Sequence, residues 1–248
     1  MEKRRQRSRL SLRRIFVLFW LGALGLLTYF LIIPESTRLI RASVVFLGCF
    51  IGIGLIFMLR HHQVFRLLFL GLLLAIASFL CWPSYSSRDV SRLRDEYVAA
   101  LLRYEAVPYY WGGENMKGID CSGLVRRALV DACWSCGIKS GDSELARQAI
   151  SIWWHDTTAK SLGESFRGLT TPVLDVSSLR EANHAQLALG DLAVSQNGVH
   201  VLAYIGNLKW IQADPTAGRV TITESSPSAH GWFTKPMKIV RWSMLEYK

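Results

Sequence analysis

Gly118-Ile119-Asp120-Cys121-Ser122-Gly123-Leu124-Val125-Arg126-Arg127-Ala128-Leu129 is the stretch from which the fold of this chain is read. Leu124, Ala128, Leu129 and Ala132 recur at the spacing of one helix face, and the glycines and aromatics before them mark a tight loop. The cysteine therefore stands where a helix begins. Free backbone N–H groups and the positive end of the helix dipole gather there, and both favour thiolate over thiol. Taken alone, the segment fits a buried structural cysteine as well as a nucleophile, because free Cys is often a small core residue.

Downstream, Leu189-Gly190-Asp191-Leu192-Ala193-Val194 reads as a turn into a strand, and Gly198 to Ile205 reads as another, ending at Gly206-Asn207. Trp210-Ile211-Gln212-Ala213 is the returning strand. The spacing from His200 to Gln212 is even, so a hairpin with an odd loop puts both side chains on one face, where the amide can orient the imidazole. Nucleophile, base and orienting group are the three parts of a thiol hydrolase. Upstream, Leu93, Tyr97, Leu101 and Tyr104 predict a helix over 90–104 that Val107-Pro108 ends.

Tyr109-Tyr110-Trp111-Gly112-Gly113, Asp120-Cys121-Ser122-Gly123-Leu124-Val125, Gly190-Asp191, His200-Val201 and Ile211-Gln212-Ala213 stand in the order of the landmarks of the NlpC/P60 cysteine peptidases. The chain resembles that family over about residues 95 to 215. The resemblance implies an α+β, papain-like fold, with the nucleophile on a helix packed against an antiparallel sheet. It implies hydrolysis of peptidoglycan stem peptides, typically between D-glutamate and a diamino acid, with no metal or organic cofactor. Position by position, Cys121 matches the nucleophile, His200 the general base and Gln212 the polar third residue. That place is more often His; a neutral Gln orients the imidazole without adding charge. Tyr109, Asp120 and Ser122 match positions that in some members bind the free amine of the stem peptide, and they serve equally well as support for the active-site loop.

The remaining sequence is of a different kind. Ile15 to Ile33, Ser43 to Leu59 and Leu67 to Trp82 are free of charge and apolar, and they read as three membrane-spanning helices (15–33, 43–59, 67–82), the second and third somewhat short. Residues 1–14 carry seven Lys/Arg against Glu2, which puts the N-terminus in the cytoplasm and, after three spans, residues 84–248 outside. With those flanks removed, residues 67–248 keep only +1 of the formal +10, so the basicity belongs to the lipid bilayer flank and nucleic acid is not an expected partner. His61 and His62 lie in the basic loop without a carboxylate or cysteine beside them and read as a solvated pair. The expected organisation is a basic cytoplasmic tail, a multi-pass membrane region over 15–83 and an extracytoplasmic catalytic domain over 84–248.

Four features stand apart from the family pattern. Residues 137–186 are longer than a compact member requires and are expected to form a side wall or lid to the cleft. Cys133-Trp134-Ser135-Cys136 fits a local disulfide or a free structural pair, while zinc lacks two further ligands with paired spacing. Cys49 and Cys81 read as small packing residues within the spans. His230-Gly231-Trp232-Phe233 with Trp210, Trp242 and Tyr247 reads as core aromatics rather than a sugar-stacking surface. Two other functions fit the same residues: acyl or amide transfer on the papain-like scaffold, and a non-catalytic envelope scaffold that only binds wall peptide.

Overall fold

The computed structural model describes residues 2–84, 89–225 and 231–246 and divides the chain into two compact units. The first comprises Met1–Ile33 and Thr37–Phe79; the second comprises Pro34–Ser36 and the chain from Leu80 onward.

In the first unit, α1 (Glu2–Ile32) and α2 (Arg38–Met58) are followed by α3 (Gln63–Cys81). The stretches Arg14–Ile32, Arg38–His61 and Gln63–Cys81 are long and apolar enough to cross a membrane. α2 begins earlier than its charge-free run suggests, because Thr37 caps it by accepting the Ile40 N–H, so Arg38 and Arg41 fall inside the helix. The Trp20 indole donates to the Ile51 carbonyl at 3.0 Å and occupies the space left by Gly54, where a Cβ would meet Trp20 at 2.4 Å. Cys49 and Cys81 are exposed on α2 and α3 rather than packed. His61 and His62 are exposed too, with Arg60 Nε 3.0 Å from His61 Nε2.

The second unit is built on a six-stranded antiparallel sheet in the order β3-β8-β4-β5-β6-β7. Its strands are β3 (Thr170–Val176), β4 (Leu192–Ser195), β5 (Val201–Gly206), β6 (Lys209–Asp214), β7 (Arg219–Glu224) and β8 (Met237–Trp242). A short ribbon, β1 (Glu114–Asn115) and β2 (Gly118–Ile119), precedes it. The two-residue period of the strands sorts their side chains onto two buried faces. Val201, Ala203, Ile211 and Ala213 join one core with Leu124, Val125, Ala128 and Leu129 of α5 (Cys121–Ser140) and with Leu93, Tyr97 and Leu101 of α4 (Val90–Arg103). Leu202, Tyr204 and Trp210 join a second core with Leu179, Phe233, Met237 and Ile239. Trp210, Trp242 and Phe233 are buried, so these aromatics are core; His230 and Tyr247 lie outside the described residues.

The long segment over 137–186, expected to be a side wall or lid, holds the end of α5, two further helices and an edge strand. Gly141, at φ +67°, ends α5, and Asp142 caps α6 (Ser143–Trp154). α6 buries Leu145, Ala146, Ala149 and Ile152; α7 (Ala159–Gly163) follows; and β3 adds an edge strand alongside β8. Pro172 sits at the register shift of β3, where an edge strand tolerates a missing N–H. Cys133 and Cys136 are both buried free thiols, with Cys133 Sγ 3.8 Å from Met244 Sδ.

Arg126, on α5, ties this framework to the ribbon. Its buried guanidinium pairs with Glu114 of β1 and with Asp156 beyond α6, and it donates to the Thr157 carbonyl. Removing one partner of a buried pair leaves the other charge without compensation. Arg126→Met is therefore expected to cost roughly 3–5 kcal/mol of folding stability, read as a lower urea midpoint of the sheet unit. Arg126→Met combined with Glu114→Gln should lose less than the single change.

Candidate active site

The site forms where α5 begins. Asp120 adopts an extended conformation and caps the helix: its Oδ1 accepts from Gly123 N at 2.6 Å and from Ser122 Oγ at 3.0 Å. Its Oδ2 accepts from Gly112 N at 2.9 Å, so one carboxylate fixes both the helix start and the preceding aromatic loop. The two press so closely that a Cβ on Gly123 would lie 2.3 Å from the Gly113 carbonyl oxygen. The loop is also tied to the turn before β7, with Tyr109 N donating to Gly218 O at 2.8 Å, and to the ribbon, with Tyr110 N donating to Ile119 O at 3.1 Å.

Cys121 is the first residue of α5 and is buried. Its sulfur lies 4.0 Å from the Val199 carbonyl oxygen, and the Val201 N–H points at it, so it rests against backbone on either side of His200. Burial pushes the thiol up to about 12, and the negative charge of Asp120 adds to the rise. The N–H groups of Val201, Ser122 and Cys121 itself pull it down by less. The thiolate expected from the helix dipole is therefore outweighed, and Cys121 rests as a neutral thiol.

His200 is buried just before β5, and its Nε2 lies 2.7 Å from Oε1 of Gln212, which is fully buried on β6. With the amide oxygen accepting, Nε2 is the donor, and in the neutral tautomer that makes this bond the lone pair is on Nδ1. The pairing follows from the register. Ala203 faces Ile211, so Leu202 stands opposite Gln212 and His200 falls two residues along on the same face. Gln212 Nε2 is buried without a hydrogen-bond partner among the described residues, a cost accepted for the contact its oxygen makes.

The other expected residues are close by. Burial raises the Tyr109 hydroxyl to about 12, with further contributions from nearby Cys121 and Asp120, so the phenol is neutral. Asp120 and Ser122 are hydrogen-bonded to each other, and Asp120 also accepts from the loop at Gly112. Asp191 is framework: fully buried, it holds Arg241 through Nε at 2.6 Å and Nη2 at 2.7 Å. Trp232, read from the sequence as a core aromatic, is half-buried and meets the site instead. Its indole stacks on the His200 imidazole with centroids 4.3 Å apart and planes 14° apart. No sequence spacing announces that contact, because the two residues meet only through the tertiary fold.

A profile of the NlpC/P60 family matches residues 106–241, more than half of the chain. The chain belongs to the NlpC/P60 family. Among solved structures it is similar to the P60 domain of an antigen from M. avium subspecies paratuberculosis, with 21% identity and a TM-score of 0.40, covering 64% of this chain and 98% of that one. It is also similar to the peptidoglycan hydrolase RipB of Mycobacterium tuberculosis, with 21% identity and a TM-score of 0.40, covering 68% of this chain and 72% of that one. A Bacillus cereus family protein matches at 19% identity and a TM-score of 0.38, over 60% of this chain and 40% of that one. No curated protein matches the chain in sequence. The family is one of cysteine peptidases and peptidoglycan hydrolases, and this member has the papain-like α+β fold with the nucleophile-bearing helix against the antiparallel sheet.

A thiol raised by burial gives a definite pH signature. Alkylation of Cys121 by iodoacetamide in the full chain, followed by mass spectrometry of its peptide, is expected to climb through pH 9 without levelling near neutrality. A plateau below pH 8 would instead reveal a stable thiolate in the resting protein.

Proposed function

We propose that this chain is a membrane-anchored cysteine hydrolase that cleaves peptidoglycan stem peptides between D-glutamate and a diamino acid. Cys121 is the nucleophile, His200 the base and Gln212 the orienting residue. The observation that carries the reading is the buried His200–Gln212 hydrogen bond formed next to the backbone on which the Cys121 sulfur rests.

In this reading His200 Nδ1 takes the thiol proton as the sulfur attacks the scissile carbonyl. Backbone N–H groups at the start of α5 stabilise the oxyanion. The imidazolium gives its proton to the leaving amine, and a thioester remains. Water then loses a proton to His200 and opens the thioester, which releases the acid and restores the thiol. Tyr109 offers a neutral hydroxyl to the substrate, and Asp120 and Ser122 hold the loop that receives the amino end of the stem.

The three apolar helices are the anchor, with the basic N-terminus in the cytoplasm and the catalytic unit outside. Pro34–Ser36, which joins α1 to α2, is part of the catalytic unit, as that topology requires of an outer connection.

Purified muropeptides incubated with the full chain in detergent micelles and analysed by mass spectrometry should yield cleaved stems, and Cys121→Ala should yield none. No turnover of any stem by the unaltered chain would overturn the hydrolase. Gln212→Ala should lower kcat about 100-fold, the scale of a misplaced catalytic group, while thermal unfolding of the sheet unit changes little by comparison. Gln212→His should retain more activity than Gln212→Ala.

A further inference from the structure

We propose that Trp232 is a positioning residue for His200, its indole face fixing the plane of the imidazole and favouring the imidazolium that forms when His200 takes the Cys121 proton. This rests on the assignment of Cys121 and His200 made above.

The hydrogen bond to Gln212 fixes one direction of the ring. The Trp232 face, 4.3 Å away and within 14° of parallel, constrains rotation about that direction. The indole is itself well placed: Phe233, next in the chain, is fully buried in the second core, and its carbonyl accepts from Arg180 N. Trp232 is half-buried, so one ring covers the His200–Gln212 bond from solvent while His200 remains only 2% exposed.

The electrostatics point the same way. An aromatic face attracts a cation through its quadrupole, most strongly where water is excluded. Lys235 Nζ lies 4.4 Å from the centroid of the same indole, which already holds one cation there and tempers the preference for a second on the imidazole. On the α5 side, the charge of Asp120 bears on Cys121, and both bear on Tyr109. Asp120 opposes the thiolate, so stabilisation of the proton's destination adds to the N–H groups that favour charge on the sulfur.

The test is Cys121 alkylation against pH in the full chain in micelles, comparing the unaltered protein with Trp232→Ala and Trp232→Phe. Trp232→Ala should react roughly three- to thirty-fold more slowly near neutral pH, the range of a cation–π contact. The deficit should close as pH rises, because hydroxide then removes the thiol proton without the imidazole. Trp232→Phe keeps a ring face and should recover most of the rate. A Trp232→Ala rate equal to that of the unaltered protein at neutral pH, or one reduced by the same factor at every pH, would overturn the proposal. Muropeptide turnover separates the two readings: with stems as substrate, kcat should fall and KM stay nearly constant in Trp232→Ala. An unaltered chain that cleaves no stem but shows the expected alkylation profiles would sink the hydrolase and leave the Trp232–His200 coupling standing.

Discussion

One carboxylate organises the site. Asp120 accepts from the backbone of α5, from the Ser122 hydroxyl and from the backbone of the aromatic loop, so helix start, nucleophile and loop share one anchor. Burial works against this role by raising the carboxyl's own pKa, and the three donors offset that by favouring the charged form. The same charge lies beside the thiol and resists its ionisation. Geometry and nucleophile activation thus pull in opposite directions at Asp120, and geometry wins in the resting protein.

The rest of the site is consistent with that outcome. Thiol, imidazole partner and phenol are all neutral at rest: Cys121 and Tyr109 are raised by burial, and Gln212 carries no charge to draw a proton onto His200. Were charge to form on the Cys121 sulfur, the N–H groups of Cys121, Ser122 and Val201 are already placed to favour it. Such fixed dipoles need little reorganisation when charge appears, which is the main advantage of a preorganised buried site.

What could be read from the sequence was what short-range pattern dictates. The start of α5, the α4 helix and the β5–β6 hairpin follow from helical and strand periods around Cys121, His200 and Gln212. The misses have physical causes. α2 starts at a Thr37 cap that hydropathy does not register. β3 was hidden in a Ser/Thr/Gly-rich stretch because an edge strand needs only one partner, β8, which lies more than sixty residues away in sequence. The thiol's ionisation depends on how deeply its surroundings bury it, and helix position alone gives the wrong sign. Trp232 reads as one aromatic among many until the fold lays it on His200.

The second unit also reaches further back in the chain than composition suggests, since it includes Pro34–Ser36. Ser36 N donates to Gly112 O at 2.9 Å and Glu114 N donates to Pro34 O at 3.0 Å, while Glu35 bridges to Gly113. These bonds add a strand to the same loop that Asp120 holds from its other side. Gly118 completes the fit, since a Cβ there would lie 2.5 Å from Tyr110 and 3.1 Å from Pro34. Three residues from the connection between the first two apolar helices therefore satisfy main-chain groups of the active-site loop that would otherwise turn to water. A domain cut at the end of the third helix keeps Cys121, His200 and Gln212 and loses that support.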